Sequence, residues 1–247
     1  MVCGLINTYE DSKSMYILMN LETGKELFEL LYRSESTKSG TAPVGLEYAQ
    51  FIVANLVLGM GHVHAKNFVF RDLKPENVMV SRNGYAKLID FGFAKVINAG
   101  EKSFTLCGTA EYLAPEIVMG TGHNQAVDWW TLGIVAFELR CGRTPFDASE
   151  DDEETREEEA GMTKEQVVRR RRNAIMSNIV SKKLRVPKER FTEDYGGWLR
   201  AILTREAPRR LGAPESGGTR PVRDHPWLRG IDWGGLLDQT VQPPRLR

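Results

Sequence analysis

The chain has 247 residues, 41% of them hydrophobic, with 33 Lys and Arg balanced by 33 Asp and Glu. That length can bury a real core, and zero formal charge gives no general affinity for nucleic acid or an anionic membrane. No run reaches the roughly 20 apolar residues of a membrane span, since Trp129 to Phe137 is short and bracketed by Asp128 and Glu138.

Cys3, Cys107 and Cys141 are odd in number and far apart. They make no disulfide framework, so a reducing, cytoplasmic setting is expected. Met1-Val2-Cys3-Gly4 has no basic segment, and no signal peptide is expected.

Leu5-Ile6 and Met15 to Met19 flank the polar Glu10 to Ser14 and predict an antiparallel hairpin. Asn20 to Gly24 breaks it. Lys25 to Tyr32 then predicts a short helix with Leu27, Leu30 and Leu31 inward. Ser34 to Pro43 is a polar loop. Leu46 to His64 is apolar on most sides, which predicts a buried helix.

Next comes Phe70-Arg71-Asp72-Leu73-Lys74-Pro75-Glu76-Asn77, with the spacing D-x-K-x-x-N, and then Asp90-Phe91-Gly92. Between them, Val78 to Val80 and Tyr85 to Ile89 flank Asn83-Gly84, a strong hairpin signal. Asn77 enters the first strand where Asp90 leaves the second. An amide oxygen and a carboxylate are therefore expected side by side, near Asp72. Oxygen ligands with open positions suit Mg²⁺. Phosphoryl transfer from a metal nucleotide needs a residue to orient the hydroxyl, a cation for the moving phosphate and ligands for the metal. Singly, Asp72 or Asn77 also reads as a loop residue capping its own backbone. The ordered set carries the catalytic reading.

Ala94 to Pro115 is a long polar segment, and loops of that length are functional or disordered. Ala126 to Arg140 predicts a second buried helix. Asp128 lies near its start, where a carboxylate also suits the helix dipole. Residues 147–160 are acidic and Lys164 to Arg172 is basic. These predict a solvated insertion, with a nuclear-localisation patch as the alternative. Ala174 to Val180 and Gly197 to Leu203 predict amphipathic helices. Asp224 to Trp233 holds an aromatic cluster, and Gln242-Pro243-Pro244 ends the packed part.

Taken together, Arg71-Asp72…Asn77, Asp90-Phe91-Gly92, Gly108-Thr109-Ala110-Glu111-Tyr112, Ala114-Pro115-Glu116 and Asp128-Trp129-Trp130 resemble the catalytic domain of eukaryotic protein kinases almost end to end. Lys74 resembles the serine/threonine branch. Phe70, Gly92-Phe93-Ala94-Lys95 and Thr105-Leu106-Cys107-Gly108-Thr109 resemble the cyclic-nucleotide-dependent enzymes of the AGC group. The stretches Gly84 to Leu88 and Asp232-Trp233…Gln242-Pro243-Pro244 look most like the cGMP-dependent one.

That resemblance implies an α+β, protein-kinase-like fold that uses ATP and Mg²⁺. Residues 1–19 would be a remnant of the small lobe, 20–24 a hinge and 25–247 a mostly helical large lobe. The large lobe would carry the charged insertion at about 147–173 and a C-terminal extension at about 230–247. It also implies the following roles. Asp72 orients the substrate hydroxyl, Lys74 neutralises the γ-phosphate and Thr109 bridges the two. Asn77 and Asp90 hold the metal, Phe91 accompanies Asp90, and Gly92 lets the backbone turn. Met19, Asn20, Glu22, Glu26 and Met79 line the nucleotide pocket. Thr105 is phosphorylated by an activating kinase and pairs with Arg71 and Lys95. Glu26, Glu76 and Glu138 favour arginine before the target Ser or Thr, with Leu106 and Leu113 also facing the protein substrate. Glu116 pairs with Arg210, and Asp128 braces the loop at Phe70.

The sequence departs from that pattern in two ways. Ala110 replaces a usual Pro. No glycine-rich phosphate loop, strand lysine or helix glutamate precedes the hairpin, and a chain continuing upstream of Met1 would supply them. The readings are a fragment of an active kinase, a pseudokinase scaffold that binds proteins, or a module that holds Mg-ATP without turnover. No nucleic-acid or membrane partner is expected.

Overall fold

The protein is described from a computed structural model, which covers residues 1–32, 43–148 and 161–245. Two apolar helices form its centre. In α2, Leu46–His64, and α4, Ala126–Cys141, nearly every inward and lateral position is buried, so neither helix has a solvent stripe of ordinary width. α3, Pro115–Val118, precedes α4, with Pro115 at its first turn, where a missing N–H costs nothing. α6, Glu193–Ile202, packs on α4, and its Tyr195 hydroxyl donates to the Ala136 carbonyl at 2.7 Å. The Tyr195 ring stacks on Trp227 at 3.7 Å, so the aromatic cluster closes the far side of the core.

Two strands carry the central hairpin, β5, Val78–Ser81, and β6, Ala86–Leu88. Their register is Val78 to Leu88, Met79 to Lys87 and Val80 to Ala86. Gly84 takes φ +84° in the turn, a conformation that asparagine and glycine tolerate. Residues Met1 to Cys3 run parallel beside β6, through Leu88 N–H to the Met1 carbonyl and Cys3 N–H to the Leu88 carbonyl. The C-terminal segment returns to the same turn. Tyr85 donates to the Val241 carbonyl at 2.6 Å, and Asn83 donates to Gln239 at 3.1 Å.

The first hairpin, β1, Leu5–Glu10, with β2, Met15–Met19, forms as expected, but every residue of both strands is exposed. Other segments differ from the sequence reading. The helix expected from Lys25 begins later, as α1, Leu27–Tyr32. Gly24–Glu26 is instead a strand, β3, paired with β5. Backbone pairing overrides helical periodicity there, and Gly24 permits it, since a Cβ would lie 2.0 Å from the Val80 carbonyl oxygen. The segment from Ala94 to Pro115 contains a short strand, β7, Lys95–Val96, paired with β4, Phe68–Val69. It also holds a 3-10 turn at Ala110–Tyr112. The basic stretch and the next predicted helix form one helix, α5, Lys164–Ser181, opened by a Thr163–Gln166 capping box. The loop expected over Ser34 to Pro43 and the acidic run lie mostly outside the described residues.

Candidate active site

The loop between β4 and β5 turns inward because α4 holds its backbone. Asp128, fully buried in the first turn of α4, accepts the N–H of Phe70 and of Arg71, each at 2.8 Å. His64 Nε2 lies 2.7 Å from the same carboxylate. Arg71 takes φ +70°, a left-handed conformation costing about 1–2 kcal/mol for a residue with a Cβ. Phe70 is buried and meets the edge of Phe91 at 5.0 Å, tying this loop to the Asp90-Phe91-Gly92 turn.

The next residues are the ones expected to carry the chemistry. Asp72 is 6% exposed. Its Oδ2 lies 3.1 Å from Lys74 Nζ and accepts from Asn77 Nδ2 at 2.9 Å. Its Oδ1 accepts from Thr109 Oγ1 at 3.3 Å, and Lys74 Nζ donates to that hydroxyl at 3.0 Å. Asp72, Lys74 and Thr109 thus form a closed triangle that pins the long segment to the loop. One carboxylate, one ammonium and one hydroxyl in mutual contact can orient an alcohol and neutralise an anion beside it.

Asn77 is locked by a second bond, Nδ2 to the Asp72 carbonyl at 2.7 Å. Both bonds use its NH₂, so its oxygen is directed away and remains available. Asp90 is exposed, and only its Oδ1 is engaged, by the Gly92 N–H at 3.0 Å. The left-handed residue of this turn is Asp90, at φ +60°, not Gly92. Gly92 matters for space, since a Cβ would sit 3.0 Å from Asp90 Oδ1. The Ile89 N–H donates to the Asn77 carbonyl, so the hairpin register brings Asn77 and Asp90 to the same end. An amide oxygen and a half-used carboxylate fit a hard cation that keeps waters and shares phosphate oxygens. Among the described residues no cluster of three or more His, Cys, Asp or Glu could hold a metal by itself.

Of the residues expected to line a nucleotide pocket, Met79 in β5 is half-buried and paired opposite Glu26 in β3. Met19 and Asn20 are exposed, with the Asn20 N–H on the Gly4 carbonyl at 2.8 Å. The Glu22 side chain spans to β6, where Lys87 Nζ lies 2.8 Å from both oxygens. Nothing in the spacing flagged Lys87.

The three acids expected to meet basic substrates differ. Glu26 and Glu76 are half-buried, and Glu76 Oε2 has no hydrogen-bond partner among the described residues. Glu138 is 1% exposed and accepts from the hydroxyls of Tyr32 and, at 2.7 Å, Tyr112. Burial pushes its carboxyl up to about 7, against the lowering effect of the two phenols. Leu113 is buried and Leu106 exposed.

On the long segment, Thr105 is exposed. Arg71 and Lys95 meet at a neighbour, their Nη1 and Nζ lying 3.4 and 3.3 Å from Ser103 Oγ. Arg71 Nε also donates to the Phe93 carbonyl at 2.7 Å. Further down, Arg210 is wholly buried and forks onto both Glu116 oxygens at 2.7 and 2.8 Å. A family model described as protein kinase domain matches residues 1–228. The chain belongs to the protein kinase family. Its relatives within that family include the cAMP-dependent protein kinase catalytic subunit of Arthrobotrys oligospora, 36% identical over 97% of this chain and 40% of that protein. The cGMP-dependent protein kinase egl-4 of Caenorhabditis elegans is 37% identical over 98% of this chain and 28% of its own length. The Drosophila melanogaster cGMP-dependent protein kinase, isozyme 1, is 34% identical over 100% and 28%. The chain spans well under two thirds of each of these relatives. No described helix is long and apolar enough to cross a membrane.

The site residues that sequence reasoning missed lie on the far side of contacts from the motifs: Tyr32, Tyr112, Lys87, Ser103 and His123. Tyr112 and Lys87 stood inside quoted stretches, with no role of their own.

Proposed function

We propose that this kinase-family chain belongs to a serine/threonine protein kinase that transfers the γ-phosphoryl group of Mg-ATP to protein substrates with arginine near the target residue. The observation that carries the reading is the closed Asp72–Lys74–Thr109 triangle beside Asn77. In this reading Asp72 orients the substrate hydroxyl and takes its proton as the O–P bond forms. Lys74 neutralises the transferred group. Asn77 and Asp90 would hold the metal, and Met19, Asn20, Glu22, Glu26 and Met79 would line the adenine side. When bound, Mg-ATP supplies the phosphoryl group and offsets its charge. With Glu138 closed off at 1% exposure, the half-buried Glu26 and Glu76 are the acids left to take a guanidinium. A phosphate on Thr105, placed by an activating kinase, would pair with Arg71 and Lys95. The three cysteines are free, in keeping with a cytoplasmic location.

One observation favours a second reading, a protein-binding scaffold. The β1–β2 hairpin exposes Leu5, Ile6, Tyr9, Met15, Ile17 and Leu18 over its two faces, apolar area that another polypeptide would bury. Phosphate transfer from labelled ATP to an arginine-containing serine peptide separates the two. Transfer lost in Asp72→Asn supports the enzyme. Transfer absent from a chain completed with a glycine-rich loop and strand lysine, or unchanged there in Asp72→Asn, leaves the scaffold.

A further inference from the structure

The cations assigned above to an activation-segment phosphate have a third neighbour. Ser103 and His123 face each other across an antiparallel bridge, each N–H donating to the other's carbonyl at 2.9 Å. Directly paired residues of such a bridge project their side chains to one side. The Ser103 hydroxyl points at Arg71 and Lys95. The His123 imidazole therefore stands on that side too. It is 2% exposed, and its Nε2 is buried with no hydrogen-bond partner among the described residues. Leaving such a group unmet is unfavourable, so a partner for it would stabilise the site. Among the described residues neither Arg71 nor Lys95 has a carboxylate at ion-pair distance. Two cations meet a hydroxyl there, an orphan imidazole stands on the same side of the bridge, and among the described residues no carboxylate pairs either cation.

We propose that His123 is a third ligand, with Arg71 and Lys95, for a phosphate carried by the activation segment, and that it tightens the hold on that phosphate as pH falls. This rests on the reading of Arg71 and Lys95 as phosphate ligands. Without an anion, burial first and the Arg71 guanidinium second hold the imidazole below the usual histidine range. Lys95 acts in the same direction, and Glu116 and Asp128 oppose it. At neutral pH the ring is then neutral and can only donate one N–H. A phosphate beside Nε2 reverses the balance, because an adjacent opposite charge favours the protonated ring. The effect holds down to about pH 6, where the phosphate itself takes a proton.

The phosphate has two sources. Ser103 already sits between the cations. Thr105 is exposed and two residues further on, and in an extended chain residues two apart share a face. The chain has four histidines, so its imidazole ¹⁵N spectrum is readable. The experiment compares the unmodified chain with chains carrying genetically encoded phosphoserine at position 105 or at position 103. The expected result, in the arm whose phosphate reaches the site, is a rise in the His123 titration midpoint of about one pH unit or more. That phosphate should also resist phosphatase better at pH 6.5 than at pH 8, relative to a free phosphopeptide. His123→Gln should remove the pH dependence and leave the rest of the protection. A shift in the 103 arm alone would keep the role of His123 and move the source to Ser103. Protection that fails in Lys95→Ala while the His123 midpoint stays fixed would overturn this inference alone. No protection in either arm would overturn both it and the reading of Arg71 and Lys95.

Discussion

Asp128 accepts the main-chain N–H groups of both Phe70 and Arg71 at 2.8 Å, so the start of α4 sets the backbone that presents Asp72. Arg71 could leave its left-handed conformation if that carboxylate were removed. Asp128→Ala leaves buried donors unmet and should cost about 2–4 kcal/mol in urea unfolding. Asp128→Asn keeps one acceptor oxygen and should fold. In the proposed transfer reaction its kcat should fall at least about tenfold with peptide KM little changed, because backbone placement acts on the transition state.

The Glu116–Arg210 fork is buried at both ends and carries a cation over the Trp130 ring at 5.1 Å. Arg210→Ala strands a carboxylate in the core and should destabilise by about 3–5 kcal/mol, measured by chemical denaturation. Replacing the pair together with apolar residues of similar volume should cost much less. If the single and double replacements cost the same, the pair carries no special stability.

Glu138 gives a pH signature. Burial raises its carboxyl from the ordinary 4.5 to about 7 in the folded chain. Between those values the folded state holds a proton that the unfolded state has lost. Its contribution to stability is therefore greatest below about pH 4.5 and is lost as pH rises through about 7. The wild-type stability relative to Glu138→Gln should fall across that window by up to about 3 kcal/mol, then stay level to pH 9. Urea melts at half-unit steps test it, and a flat difference would show that the two tyrosines hold the group ionised throughout.

The three thiols should be slow nucleophiles. Burial is the largest influence on each, and it pushes Cys141 up to about 11 and raises Cys107 and Cys3. Arg71 and Lys95 pull Cys107 back only in part. Iodoacetamide at pH 7 should label Cys141 more slowly than a free thiol peptide by about tenfold or more, because the thiolate is the reacting species. Mass spectrometry of timed digests reads all three sites.

Much of this could be read before any coordinates, for physical reasons that differ by element. Leu46 to His64 matched to the residue, because a helix buried on most sides needs little context. Asp72, Lys74 and Asn77 lie within six residues, so their contacts are local. Asn83-Gly84 specified its own turn. The strand at Gly24–Glu26 was hidden because its cause is a partner, β5, more than fifty residues away. The two-residue strands at Phe68–Val69 and Lys95–Val96 are too short to show a period. Glu138 looked like an acid offered to substrate because nothing in its neighbourhood of sequence announced Tyr32, 106 residues earlier. His123 gave no signal, since its meaning depends on the bridge to Ser103.

The C-terminal return to the β5–β6 hairpin bears on how the chain is made. Tyr85 and Asn83 take their partners from Val241 and Gln239, each 156 residues further along. During synthesis the helices can dock while that turn is still unsupported, because long-range contacts form only after both partners have emerged. The turn between Asn77 and Asp90 is thus among the last parts to acquire its final bonds. A ribosome-bound nascent chain stopped before Gln239 should hold its core and lack the finished β5–β6 turn.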